Sequence, residues 1–257
     1  MKSSQEAASL LARSRFAVVL SGAGISVESG IPDFRSADGL WSRFDPMEYG
    51  HIDSFRAHPG KVWKMLLEMD HLLSSAAPNP AHYAIAELER RGLVRCVITQ
   101  NVDSLHQRAG SRNVIEFHGN GRTLRCDRCS ARFSRDALTL SAIPPTCGCG
   151  GPIRPDFVFF GEDIPTDAYR EAFKVARQCD LMLVVGTSAS VAPASHLPQI
   201  AKEARAGVVV VNPERTDLPS WLVDVHVTSP AGSALPAIVE ELEDRKSTRL
   251  NSSHEWI

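Results

Sequence analysis

Four short apolar runs constrain this chain more than any other feature. They are "FAVVL" at 16–20, "LVRCVIT" at 93–99, "LMLVV" at 181–185 and "GVVVV" at 207–211. A strand with one face in water alternates apolar and polar side chains, whereas a nearly continuous apolar strand needs cover on both faces. Helical stretches separate the runs. Residues 3–14 form one. "PAHYAIAELERRG" opens on Pro80 and closes at Gly92, and "YREAFKVARQ", "SHLPQIAKEARAG" and "ALPAIVEELEDR" supply the others. A further strand is expected at "NVIEFHG" and a loop with a short helix at "NVDSLHQRAG". Strand and helix in alternation predict a parallel sheet covered on both sides, an α/β fold of Rossmann-like, doubly wound type.

Two segments break the alternation. Residues 37–80 carry Trp41, Phe44, Met47, Phe55, Trp63 and Met65 among polar neighbours, with a helical period in "KVWKMLLEMDHLL". Residues 122–156 hold four of the six cysteines. The expected organisation is a Rossmann-like domain from 1–36, 81–121 and 157–245, with a smaller helical and zinc-binding module inserted as 37–80 and 122–156. The tail 246–257, "STRLNSSHEWI" with its preceding lysine, has no apolar period and is expected to be disordered.

Cys126-x-x-Cys129 and Cys147-x-Cys149 have the clustering of a four-thiolate zinc site, which closes a tetrahedron and leaves no place for water. Such a metal holds the fold and does no chemistry. Two disulfides or free thiols are the other readings of the same spacing. Cys96 and Cys179 lie in or beside apolar segments, where a thiol is inert packing.

The loop after the first apolar run reads "SGAGISVESGIPDFR". Gly22 and Gly24 supply the first half of a dinucleotide fingerprint, but Val27 stands where the third glycine is due. All four strand ends are polar, "SGAG", "TQNVD", "GTSAS" and "NPER", and ligands of parallel sheets bind beyond such ends. His118, in "EFHGNG", falls beside Asn101 and Asp103 if adjacent strands pair in order. It is either a structural imidazole or a base working near neutral pH. "RPDFVFFGE" at 154–162 is either a buried strand or an exposed edge able to pair with a peptide.

The formal net charge of -2 and pI of about 6.5 give no electrostatic footprint for nucleic acid or anionic membrane. The apolar runs fall far short of the roughly 20 residues that a membrane helix needs. A soluble, cytoplasmic, monomeric protein is expected.

The stretches "GAGISVESGIPDFR", "TQNVDSLHQRAG", "EFHGN", C-x-x-C with C-x-C, "IRPDFVFFGE", "GTSASVAP" and "VVNPE", in that order, resemble the sirtuins, NAD-dependent protein-lysine deacylases. The resemblance covers about residues 10–240 and explains the odd loop: in that family it wraps NAD and shapes the nicotinamide pocket. It implies that Gly22, Ala23 and Gly24 face the pyrophosphate, that Asp33 with Ile31 and Phe34 flank nicotinamide, and that Arg35 contacts phosphate or orders the loop. Gln100, Asn101 and Asp103 would hold the nicotinamide ribose and a water, with His118 as general base. Gly186, Thr187, Ser188, Asn212, Pro213 and Glu214 would hold the adenosine half, with Ala231 and Gly232 near adenine. Val158, Phe159, Phe160 and Gly161 would flank an acyl-lysine tunnel, and the peptide would lie as a strand between them and Val191. The co-substrate would be NAD, the metal one structural zinc on Cys126, Cys129, Cys147 and Cys149, and the partners acyl-lysine proteins or peptides. The products would be free lysine, nicotinamide and O-acyl-ADP-ribose.

Two departures matter. The second cysteine pair is C-x-C where many members have C-x-x-C. Members that remove succinyl groups carry Tyr-x-x-Arg on the helix where Leu66 and Met69 align here, so neutral acyl groups are expected to be preferred. A mono-ADP-ribosyltransferase on the same NAD site, or a zinc-ribbon module that senses NAD without turnover, are the alternative readings.

Overall fold

The structure is a computed structural model that describes residues 2–33, 39–138 and 142–254. Helix α1 (Lys2–Arg13) leads into β1 (Ala17–Ser21). Three helices follow, α2 (Pro46–Tyr49), α3 (Ile52–Ala57) and α4 (Pro59–Ser75). Then come α5 (Pro80–Arg90), β2 (Val94–Thr99), α6 (Leu105–Arg108) and β3 (Val114–Glu116). The cysteine region holds β4 (Gly119–Cys126), β5 (Arg132–Ser134) and β6 (Ile153–Phe157). The chain closes with α7 (Thr166–Gln178), β7 (Leu181–Val185), α8 (Leu197–Glu203), β8 (Gly207–Val211), β9 (Val225–Val227) and α9 (Ala231–His254).

Six strands form one all-parallel sheet in the order β3-β2-β1-β7-β8-β9. The order reverses between β1 and β7, and that reversal point is where open α/β sheets bind their ligands. The expected two-sided cover is present. Ala17 and Val19 of β1 pack with Leu183, Val185, Leu88 and Leu235 on one face. Val18 and Leu20 pack with Met182, Val184, Phe173 and Leu197 on the other. Among the described residues, no helix is long and apolar enough to cross a membrane.

The cysteine region folds as a separate antiparallel sheet, β5-β4-β6. The helical segment has its own core, in which Phe55, Val62, Trp63, Met65 and Leu66 are fully or nearly fully buried. Trp63 Nε1 donates to the Ile153 carbonyl at 2.8 Å, tying α4 to β6. The backbone of α9 stays helical to His254, past Arg245 where the apolar period stops. No Gly or Pro follows Arg245 to break it.

Two buried histidines sit between α5 and the sheet. His82 and His106 rings lie edge to face with centroids 5.0 Å apart. His106 Nε2 hydrogen-bonds Ser21 Oγ at 2.8 Å, while His106 Nδ1 and His82 Nε2 have no protein partner. Burial pushes His82 down to about 4 and His106 to about 3. In the unfolded chain both titrate near ~6.5, so below that pH the unfolded state takes up protons that the folded state refuses. Stability is therefore expected to fall as pH drops from about 6.5 toward 4, by on the order of 3 kcal/mol or more in all. Urea midpoints at pH 7.0 and 4.5 check this, and His106→Asn is expected to flatten the dependence.

Candidate active site and cysteine centre

At the end of β1 the chain turns back over β7. Gly22 N–H donates to the Val185 carbonyl at 3.1 Å and Gly24 N–H to the Gly186 carbonyl at 2.8 Å. The contact leaves no room for side chains. A Cβ on Gly24 would lie 2.8 Å from Gly186 O, and one on Gly186 (φ +58°) would lie 2.2 Å from the Ile25 nitrogen. The chain then enters a short 3-10 turn, Ala23–Ser29, in place of a full α-helix. A third glycine normally lets such a helix pack close to the strand. Here that closeness is already made by Gly24 on Gly186, and Val27 is 46% exposed on the cavity rim.

Above these turns lies a cavity of about 1030 Å³. Its wall brings together Gly22, Ala23, Gly24, Asp33, Gln100, Asn101 and His118 from one side of the switch point. From the other side come Gly186, Thr187, Ser188 and Val191, then Asn212, Pro213, Glu214 and Ala231. Val158, Phe159, Phe160 and Gly161 close the front, with Met69 of α4 behind. Residues from widely separated stretches of sequence thus meet in one space.

Several of its polar groups are held by neighbours. Asn101 Nδ2 donates to the Gly22 carbonyl and to Ser26 Oγ, both at 3.1 Å. Ser26 Oγ donates to Asp103 Oδ2 at 2.7 Å, and Asp103 Oδ1 accepts from Leu105 N–H at 2.9 Å. Gln100 Nε2 donates to Thr187 Oγ1 at 3.1 Å, bridging the ends of β2 and β7. His118 Nδ1 lies 3.0 Å from the Gln100 carbonyl. A carbonyl only accepts, so Nδ1 carries the proton and Nε2 keeps its lone pair. Burial lowers the pKa of His118 and the Gln100 carbonyl partly opposes that, so the ring is neutral at pH 7.

Some expected residues stand elsewhere. Asp103 is buried behind the cavity wall, where it orders Ser26 and through it Asn101. Leu66 faces the α-helical core, 1% exposed, and Met65 lines the cavity with Met69 in its place, four residues apart on one helix face. Gly232 is not in the wall; its N–H donates to Glu28 Oε2 at 2.7 Å. Ile31 also lies off the wall, and Phe34 and Arg35 fall outside the described residues. Glu28, Trp41, Tyr169 and Arg215 line the cavity without having been singled out in the sequence. The i,i+4 spacing of Met65 and Met69 is a readable signal; Glu28 and Trp41 are placed by short 3-10 turns, Tyr169 by α7 and Arg215 by the loop after β8.

The run 158–161 is more tied down than an open edge. Val158 N–H donates to the His118 carbonyl at 2.9 Å, Phe160 N–H to Gly50 O at 2.9 Å, and Ile52 N–H to Phe160 O at 3.0 Å. Phe159 is 3% exposed and Phe160 43%. One residue is therefore core and the next faces the cleft.

The four cysteine sulfurs lie within 4.8 Å of one another. Cys126 and Cys149 Sγ are 3.5 Å apart, and Cys129 and Cys147 Sγ 3.7 Å. A disulfide would need about 2.05 Å. A tetrahedron of ~2.3 Å Zn–S bonds has edges of about 3.8 Å, so the donor set fits zinc. The C-x-C knuckle fits as well, because Gly151 lets the backbone pass where a Cβ would be 2.7 Å from Cys126 Sγ.

A profile of the Sir2 family matches residues 22–193. An NAD-dependent protein deacylase 2 of Pyrobaculum aerophilum is 48% identical over 243 residues, covering 94% of this chain and 97% of that one. A solved complex of a Sir2 homolog with NAD superposes with a TM-score of 0.87 at 41% identity, covering 94% of each chain. A Sir2 histidine-to-alanine variant with deacetylated p53 peptide and 3′-O-acetyl ADP ribose gives 0.87 at 38% identity, covering 92% and 97%.

Purified protein is expected to carry one zinc per chain. Cys129→Ser should lose it and melt about 10 °C lower, at roughly 2–4 °C per kcal/mol for a chain of this size. Elemental analysis and calorimetry check both.

Proposed function

The chain belongs to the Sir2 family, and on that footing we propose that it is an NAD-dependent protein-lysine deacylase that prefers neutral acyl groups, acetyl above succinyl. The observation that carries this reading is the single cavity in which the Gly22–Gly24 turn, Asn101, His118 and the 158–161 run meet.

When bound, NAD supplies a ribose carbon that accepts the acyl oxygen as nicotinamide leaves, the products being free lysine, nicotinamide and O-acyl-ADP-ribose. The chain's own groups do the rest. Gly22, Ala23 and Gly24 offer backbone close enough to meet phosphates, with Thr187 and Ser188 on the facing turn. Asn212, Pro213 and Glu214 hold the adenosine end beside Ala231. Asp33 lies at the nicotinamide end. Gln100 and Asn101 orient a ribose and a water, with Asp103 holding Asn101 in place through Ser26. The fixed amide and carbonyl dipoles of this layer are already oriented before charge develops at the sugar. His118 takes a proton from a ribose hydroxyl at Nε2, the nitrogen left basic by the Nδ1 bond to Gln100. Val158 and Phe159 exclude water along the acyl-lysine, and Val191 faces them across the cleft.

The acyl end meets Met65 and Met69. Among the described lining residues the one permanent cation is Arg215, which follows Glu214 in the turn after β8. A succinyl carboxylate at the methionine wall meets no cation among the described lining residues other than Arg215. An unpaired buried charge costing about 3 kcal/mol corresponds to roughly 100-fold in rate.

Two measurements test the reading. Acetyl- and succinyl-lysine peptides of one sequence, assayed in parallel with NAD, are expected to differ about 100-fold in kcat/KM in favour of acetyl; equal values would overturn the selectivity. His118→Ala is expected to lose on the order of 10²–10⁴ in kcat while still binding NAD. Turnover at the parental rate in that variant would remove His118 from the reaction.

A further inference from the structure

Arg154 is fully buried, yet it is not among the cavity-lining residues. Its guanidinium bonds in three directions. Nε donates to Asp127 Oδ1 at 3.3 Å. Nη1 donates to the carbonyls of Phe157 at 3.0 Å and Pro155 at 3.3 Å. Nη2 donates to Glu162 Oε1. The same group lies over the Phe159 ring, 5.0 Å from its centroid.

Both carboxylates lead onward. Glu162 Oε2 accepts from Phe159 N–H at 3.0 Å, and Glu162 N–H donates to the Phe159 carbonyl at 3.1 Å, closing the turn that presents Phe159 and Phe160. Arg125 Nη2 adds a second cation on Glu162 Oε1 at 2.8 Å. Asp127 follows Cys126 directly, and its Oδ2 accepts from Arg56 Nε of α3 at 3.0 Å. One buried side chain thus joins the cysteine knuckle and α3 to the turn at Phe159–Glu162.

Stability alone is a poor reason for this arrangement. A charge so buried is costly to desolvate, and an apolar side chain of like volume would fill the space without that cost. The guanidinium contributes direction: its rigid planar fork fixes two carboxylates and two carbonyls in one geometry and stacks on a ring, which a lysine ammonium cannot do. We propose that Arg154 is a positioning residue for acyl-lysine binding, holding the Val158–Gly161 run in register with the cysteine knuckle through Glu162 and Asp127. The proposal rests on the reading that this run forms the acyl-lysine wall. The bonds of Arg154 run to Asp127 at the knuckle, to the Pro155 and Phe157 carbonyls and to the Glu162 carboxylate, not to the turns at Gly22–Gly24, Thr187 or Asn212. Its loss should therefore be felt by the peptide and not by NAD.

The test uses Arg154→Lys and Glu162→Gln in the full chain. Acetyl-lysine peptide and NAD are varied separately, and amide hydrogen exchange is followed across residues 153–163. Arg154→Lys is expected to raise the peptide KM about tenfold while leaving the NAD KM within about twofold. Exchange at Phe159 should quicken at least ~10-fold with zinc content unchanged. Glu162→Gln keeps an acceptor for Phe159 N–H and should move the same quantities in the same direction by a smaller factor; it carries the test should Arg154→Lys fail to fold. A merely structural role would lower the melting temperature and the active fraction without separating the two KM values. Joint movement of both KM values, or unchanged exchange at Phe159, overturns the proposal. Exchange is read without turnover, so a parent chain lacking deacylase activity would count against the functional reading while the exchange result still decides the positioning.

Discussion

The turns after β1 and β7 touch backbone to backbone, with Gly24 N–H on the Gly186 carbonyl at 2.8 Å, and the site depends on that contact. Neither turn has space for a Cβ at its crossing. The contact holds together the two halves of the sheet at the point where strand order reverses. It also frees the upper surface of both turns to face the cavity. A larger residue at either position would push the strand ends apart and open the floor on which Asn101 and Gln100 rest.

On that floor the polar groups form a layer whose members orient one another. Asp103 holds Ser26, Ser26 and Gly22 hold Asn101, and Thr187 holds Gln100, whose carbonyl sets the tautomer of His118. The residues that would meet the sugar are thus fixed before anything binds. The opposite wall is built differently: Phe159 is sunk into the helical core while Phe160 and Trp41, with ring centroids 6.0 Å apart, stand at the cleft. A rigid polar floor and a tethered apolar wall suit a reaction in which a charged sugar centre must meet a neutral amide.

Much of this was legible in the sequence because it rests on strong local signals. Continuous apolar runs announce two-sided strands, and "VVVV" at 208–211 has no other comfortable home. The cysteine pairs and Gly22-x-Gly24 are constraints of covalent geometry and close approach. What stayed hidden depends on docking. The strands β4 and β5 are largely half-exposed and carry arginines, so "GNGRTLRC" lacks an apolar run; the Arg125, Asp156 and Arg132 charges that hold it act across strands. Strand β9 is three residues long and exists because β8 offers an edge. The phase of α4 buries both Leu66 and Met65 in the helical core, and of the two it is Met65 that also borders the cavity, together with Met69. Asp103 shares a motif with Asn101, and spacing alone does not say that one lines the wall and the other stands behind it.

Mass spectrometry of the products, after the full chain is mixed with NAD and an acetyl-lysine peptide, tests most directly whether the sugar and the lysine amide meet in this cavity. The expected result is deacetylated peptide in equal amount to nicotinamide and O-acetyl-ADP-ribose. NAD consumed while the peptide keeps its acetyl group, with ADP-ribose left on protein or released free, would contradict it.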